Sequence, residues 1–184
     1  VYFNSKYHME SFLGGLPEFL SVYPDHANQE TLEDLHRKAE VLPLGMDLET
    51  LDACKGLADT NETPLILWNH RREHDKCPED FLQILYRLEE RGLPFEVALL
   101  GRQSMSTQAV FKEAHKRLGS KIIHDDQVRN FQDYGKWLWR ADIHPVTARQ
   151  DFFGGSVVEA AYCTCHPVLP RRLAYPEHFP DRPV

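Results

Sequence analysis

Between residues 65 and 170 the sequence alternates short apolar runs with amphipathic segments, and this alternation limits the possible folds more than any other feature. The apolar runs predict strands over residues 65–68, 95–101, 121–124, 142–147 and 166–170. The amphipathic segments predict helices over residues 78–91, 107–118, 128–139 and 156–162. Strands that alternate with helices favour a parallel sheet covered on both faces, and right-handed crossovers make it a doubly wound, Rossmann-like α/β domain.

The first 60 residues do not follow this alternation and are predicted to be helical and irregular. Residues 11–20 form a short apolar segment that Gly14, Gly15 and Pro17 are expected to break. Residues 57–64 are polar, end in proline and are typical of a linker. The sequence therefore predicts a first segment over 1–60 and a Rossmann-like domain over 61–184.

Composition and charge exclude several classes of protein. No apolar stretch is long enough for a membrane span, and the opening residues lack the basic and apolar regions of a signal peptide. The net charge is −7, with 11 acidic and 4 basic residues in the first 60 and 17 of each in the rest. No broad basic face is predicted, so contacts to nucleic acid would come from local clusters or from sequence outside this chain. We expect a cytoplasmic protein, and a nuclear location stays open as well.

The loop over residues 69–76 follows the first predicted strand, at the edge of the sheet where such domains bind ligands. Arg71 offers a planar guanidinium and Lys76 a point charge, a pair that suits a diphosphate. The alternative is a solvated charged loop. His70 and His74 have the i, i+4 spacing of metal ligands, but they lack the HExxH order and precede the helix, which favours solvated histidines. We predict no metal and no cofactor.

The second candidate loop precedes the helix over residues 156–162. Two glycines would let the backbone approach a ligand closely, and Ser156 is a candidate N-cap of that helix. The free N–H groups at the helix start would suit a phosphate. Asp151 and Glu159 flank the turn, and their carboxylates could accept hydrogen bonds from sugar hydroxyls. The alternative is a plain connection between a strand and a helix.

The spacing of Asp151 and Glu159 around FFG resembles the E-x7-E signature of retaining glycosyltransferases of the GT-B fold. Longer strings resemble one subfamily, the tRNA-queuosine mannosyltransferases. They are FNS-YH-ESFL and LPEFL near the start, LILWNHR-EHDK-PEDF in the middle, and ADI–TA–DFFG–SVVEA and C-PVLP-RL-YPE-FP towards the end. The resemblance runs along nearly the whole chain, and the WNHR-EHDK string is its most specific part. Asp151 departs from the pattern, because the wider group usually has Glu there.

The resemblance implies transfer of mannose from the donor GDP-mannose to queuosine in the anticodon of tRNA-Asp, with retention. Arg71 and Lys76 would then hold the donor diphosphate, Glu159 the nucleotide ribose, and Asp151 hydroxyls of the transferred sugar; Asp151 and Glu159 are the candidate catalytic residues. Backbone N–H groups would line the sugar and phosphate at Phe153, Gly154, Gly155 and Ser156. Such groups would stabilise the anionic charge on departing GDP.

The resemblance also implies that this chain is the C-terminal, donor-binding half of a GT-B enzyme. Residues 1–60 would be the remnant of the N-terminal domain and the linker, and the acceptor tRNA would bind mainly through that first domain. We therefore expect the chain alone to bind donor weakly and to transfer nothing. Two alternatives stay open: a GT-B transferase with a different donor or acceptor, and a non-catalytic domain that binds a nucleotide sugar or a protein partner.

Overall fold

The computed structural model describes residues 1–22, 29–102 and 104–180. The chain forms two compact units, one of residues 1–46, 151–154 and 171–184 as far as they are described, and one of residues 47–150 and 155–170. This division differs from the predicted boundary after residue 60, because Leu51 is buried in the core of the second unit. The assignment of residues 1–60 to the remnant of another domain stays a prediction. Within the described ranges, no helix is long and apolar enough to cross a membrane.

The strands are β1 Tyr2–Phe3, β2 Glu40–Val41, β3 Leu65–Trp68, β4 Glu96–Leu99, β5 Ile122–Asp125, β6 Ile143–Pro145 and β7 His166–Val168. The α-helices are α1 Lys6–Ser21, α2 Gln29–Lys38, α3 Asp52–Lys55, α4 Pro78–Glu90, α5 Gln108–Leu118, α6 Phe131–Arg140, α7 Gly155–Tyr162 and α8 Tyr175–His178.

The first unit contains a small parallel sheet of β1 and β2 with helices α1, α2 and α8. The predicted break in residues 11–20 is wrong, because α1 is continuous through Gly14, Gly15 and Pro17. Its first turn is capped on two sides. Ser5 Oγ accepts the N–H of His8 at 3.0 Å, and the Glu177 carboxylate accepts the N–H groups of Lys6 and Tyr7 at 2.8 Å each.

The second unit is built on a five-stranded sheet with the order β5-β4-β3-β6-β7, in which all neighbouring strands are parallel. The chain runs outward from β3 to β5 and then returns to β6 on the other side of β3. The strand order therefore reverses between β3 and β6, the position at which doubly wound sheets bind ligands. The predicted doubly wound, Rossmann-like fold is confirmed.

The side chains of β3 alternate between two buried clusters, as the period of a strand requires. Ile66 and Trp68 contribute to the cluster that contains side chains of α4 and α5. Leu65 and Leu67 contribute to the other cluster, which contains side chains of α6 and α7. All four side chains are at most 3% exposed. Both faces of the sheet are thus covered, which explains the uninterrupted apolar run over residues 65–68.

Helix α6 begins three residues later than the sequence pattern predicts. The apolar pattern places its start at Val128, but the helix begins at Phe131 because Asn130 is its N-cap. The Asn130 side chain accepts the N–H of Asp133 at 2.7 Å.

Candidate functional site

The loop that follows β3 is held close to the loop that follows β4. Trp68 Nε1 donates to the His70 carbonyl at 2.8 Å. A Cβ on Gly101 would lie 1.6 Å from the same carbonyl oxygen, so only glycine allows this approach. Thr107 Oγ1 also donates to the Arg72 carbonyl at 2.5 Å. The backbone from His70 to Arg72 is therefore fixed at the carboxyl edge of the sheet.

Arg71 and Lys76 lie in different environments. The Arg71 side chain is 65% exposed, forms an ion pair with Glu73 at 3.1 Å and lines a cavity of about 410 Å³. Lys76 is buried; its Nζ donates to the Gln150 carbonyl at 2.6 Å and lies 3.3 Å from the Asp75 carboxylate. Arg71 can thus meet a ligand with little rearrangement, whereas Lys76 also holds the chain after β6 in place. Their joint contact with a diphosphate stays a prediction.

The sequence suggested Ser156 as the N-cap of α7, but the structure places it inside the helix. The helix begins at Gly155, so Ser156 lies in its first turn. The Ser156 hydroxyl lies 3.4 Å from His70 Nδ1, and its carbonyl accepts from Asn69 Nδ2 at 3.3 Å. The start of α7 is therefore joined to the loop after β3 by hydrogen bonds, and N–H groups of a first helical turn favour an anion.

Glu159 is held by Tyr134, a residue that the sequence analysis did not single out. Tyr134 Oη donates to the Glu159 carboxylate at 2.6 Å and accepts from Asn69 Nδ2 at 2.8 Å. Burial raises the pKa of Tyr134 well above its usual value, and the charge of Glu159 adds to this effect. The phenol therefore stays protonated and fixes the carboxylate. The position of Asn69, the first polar residue after β3, could have identified it from the sequence as a candidate site residue. Tyr134 lies within α6, and no sequence pattern marks it as a site residue.

The other predicted site residues belong to the first unit, namely Asp151, Phe153 and Gly154. Asp151 accepts the N–H of Phe153 at 3.3 Å and the Tyr175 hydroxyl at 3.2 Å. Phe153 is buried beside His178, with ring centroids 4.5 Å apart. Gly154 has φ +82°, which glycine adopts without strain. The Asp151 carboxylate thus stabilises its own turn, and its role towards a sugar stays a prediction.

His70 is not the solvated histidine that the sequence favoured. It is 5% exposed and lies against His144, with ring centroids 5.0 Å apart. Burial lowers the pKa of His70 to about 3, with a smaller effect from the charge of Lys76, and burial also lowers the pKa of His144. Both rings are therefore neutral near pH 7. Across the described ranges, no group of three or more His, Cys, Asp or Glu side chains could hold a metal ion.

Comparison with known proteins identifies relatives of this sequence. The family model for the N-terminal region of tRNA-queuosine alpha-mannosyltransferase matches residues 1–46. The curated tRNA-queuosine alpha-mannosyltransferase of Drosophila melanogaster is 33% identical over 187 residues, which cover 98% of this chain and 49% of the relative. The chain therefore spans about half the length of this relative.

Solved structures share the fold at low sequence identity. The C-terminal domain of a glycosyl transferase group 1 family protein from Francisella tularensis has a TM-score of 0.56 at 14% identity, covering 74% of this chain and 76% of that one. The Anabaena protein HepE, in complex with UDP and glucose, has a TM-score of 0.62 at 16% identity, covering 96% and 46%. A UDP-forming trehalose-phosphate synthase from Burkholderia xenovorans has a TM-score of 0.64 at 12% identity, covering 97% and 48%.

These structures support the fold alone, while the sequence comparison supports the family. The resemblance predicted from the residue strings is thus confirmed: over 98% of its length, this chain is similar to a tRNA-queuosine alpha-mannosyltransferase.

Proposed function

We propose that this chain is the donor-binding part of a retaining glycosyltransferase that transfers mannose from GDP-mannose to queuosine in tRNA-Asp. The observation that carries the proposal is the 33% identity to a tRNA-queuosine alpha-mannosyltransferase over 98% of the chain. The doubly wound sheet supports it, because such sheets bind nucleotides where the strand order reverses.

In this proposal, the donor diphosphate lies at the carboxyl edge of β3, near the first turn of α7. Arg71 faces solvent there and can form charge-assisted hydrogen bonds with two phosphate oxygens. The N–H groups of the first turn of α7 add partial positive charge. Both features stabilise the negative charge that develops on GDP as the bond to the sugar breaks.

The carboxylates have separate roles in the proposal. Glu159 accepts hydrogen bonds from the nucleotide ribose, and Tyr134 orients it through the 2.6 Å hydrogen bond. Asp151 keeps the sugar contact that the family resemblance assigns to it. Lys76 supplies charge beside the diphosphate while it holds the Gln150 carbonyl.

The test is calorimetric titration of the chain with GDP-mannose, on the parent protein and two single variants. Arg71→Gln removes the proposed phosphate contact from an exposed position, so the fold should be unaffected. We expect it to weaken binding about ten-fold or more, since a charge-assisted hydrogen bond contributes about 1.5–3 kcal/mol. The matched control is Arg91→Gln, which removes the same exposed charge at the end of α4 and should leave the affinity unchanged. Equal affinities of both variants would contradict the assignment of Arg71.

A further inference from the structure

A second cavity lies on the other side of the loop after β3, between α5 and the end of β5. Its volume is about 320 Å³. Four of its lining side chains can carry charge, and three of these are positively charged when protonated. The lining residues are Arg72, Ser104, Gln108, Phe111, Lys112, His115 and Asp125. Apart from Ser104, which also lines the cavity beside Arg71, none of them lies at the donor site proposed above.

The charges in this cavity are not balanced. Asp125 is its one carboxylate, and it pairs with both Arg72 and His115. Burial would raise the pKa of Asp125, but the hydrogen bonds from Arg72 and His115 outweigh burial and keep that pKa below its usual value. The Asp125 carboxylate is therefore ionised and is already paired with Arg72 and His115. Lys112 is exposed and has no carboxylate partner among the described residues.

Arg72 also has an unused donor. Its side chain is 3% exposed and its guanidinium lies 4.4 Å from the ring centroid of Phe111. Nη2 donates to Asp125, whereas Nε is buried without a hydrogen-bond partner in the part of the chain that the structure describes. A buried donor without a partner is rare in folded proteins, and an acceptor atom from a ligand would satisfy it.

The cation-lined surface continues into the neighbouring cavity. Ser104 lines both cavities, and the neighbouring one is also lined by Arg71, by its ion-pair partner Glu73 and by Arg102. Arg102 is exposed and, like Lys112, has no carboxylate within ion-pair distance among the described residues. This local excess of positive charge contrasts with the net charge of −7 of the whole chain.

We propose that the cavity lined by Arg72 and Lys112, together with Arg102 beside it, binds phosphate groups of the RNA backbone of the acceptor. The inference rests on the proposed function, since it takes the acceptor to be a tRNA. Because Arg71 is assigned to the donor, Lys112 and Arg102 are the exposed cations at this surface that phosphates of a polymer can contact. Such contacts position a nucleic acid without reading its sequence.

Binding of a fluorescently labelled, unmodified tRNA-Asp transcript to the full chain tests this proposal, with anisotropy measured over a range of salt concentrations. Lys112→Gln should weaken binding about three- to ten-fold and reduce the slope of log K against log salt concentration by about one. Arg102→Gln should act in the same direction. The matched control is Lys116→Gln, one turn further along α5, where the lysine pairs with Glu113 at 3.4 Å and lines neither cavity. We expect it to change the affinity less than about two-fold, since its charge is already compensated.

Titration of the same variants with GDP separates this proposal from the donor assignment. Intact GDP binding with equal RNA affinities of Lys112→Gln and Lys116→Gln would overturn the RNA site and leave the donor site in place. Absent GDP binding with a specific effect of Lys112→Gln would overturn the donor assignment alone. A parent chain that does not bind the transcript, or that binds phosphatidylserine vesicles in a Lys112-dependent manner but not RNA, would also overturn the RNA site.

Discussion

At the scale of single residues, His70 and His144 are two buried histidines of the second unit whose rings lie against each other. His70 Nε2 and both ring nitrogens of His144 have no hydrogen-bond partner within the described ranges. Burial keeps both rings neutral in the folded state by lowering their pKa values. As the pH falls, each histidine therefore takes up a proton at a higher pH in the unfolded state than in the folded state. This difference makes the stability of the protein depend on pH.

The sign of that dependence follows from the lowered pKa values. The unfolded histidines take up protons as the pH falls below about 6.5, whereas folded His70 does so only near a pKa of about 3. The free energy of unfolding should therefore decrease from pH 6.5 downward, by at most about 1.4 kcal/mol per pH unit for each histidine.

His144→Phe tests this prediction. The variant keeps a buried ring and removes the two unpartnered nitrogens, so the loss of stability between about pH 7 and about pH 5 should become smaller. Urea midpoints at the two pH values measure the loss. His74→Gln, at an exposed position in the loop after β3, is the control and should leave it unchanged. An identical loss in the parent and in His144→Phe would show that His144 does not titrate as described.

At the scale of elements, helix α1 depends on a residue that is far from it in the sequence. The Glu177 carboxylate accepts two N–H groups of its first turn, and these groups have no partner within the helix. Glu177→Ala should lower the free energy of unfolding of the first unit by about 1 kcal/mol. Hydrogen exchange should become faster at the amides of Lys6 and Tyr7. Glu18→Ala, near the other end of the same helix, removes an exposed carboxylate and should leave exchange there unchanged.

The strands and most helices could be predicted from the sequence, because burial on one or two faces imposes a period on apolar residues. Residues 65–68, for example, are fixed by burial on both faces of the sheet. The continuity of α1 and the cap by Glu177 could not be predicted in this way, since distant residues supply the contacts. The start of α7 at Gly155 and the burial of His70 likewise depend on neighbours that come together only in the fold.

The candidate site was predictable in part for the same reason. Arg71 follows β3, and Glu159 lies one turn into α7, so the topology predicts that both lie near the carboxyl edge of the sheet. Tyr134 orients Glu159 from the middle of α6, where nothing in the local sequence distinguishes it from a packing residue. Lys76 has a carbonyl partner on another loop, so its burial was not visible in the pattern.

At the scale of the whole molecule, the sequence relationship and the fold carry different information. Solved structures with this fold and low identity include one that holds UDP and glucose. The relative in Drosophila melanogaster is instead named a mannosyltransferase, and the function proposed for this chain takes a guanine nucleotide, GDP-mannose, as its donor. The identity of the nucleobase is therefore the part of the proposed function that an experiment can contradict most directly.

Calorimetric titration of the parent chain with GDP, GDP-mannose, UDP and UDP-glucose tests this claim most directly. We expect the two guanine nucleotides to bind and the two uridine nucleotides to bind at least about ten-fold more weakly, a difference of about 1.4 kcal/mol or more. Tighter binding of UDP or UDP-glucose would contradict the proposed donor. A folded chain that binds none of the four would contradict its assignment as a donor-binding unit.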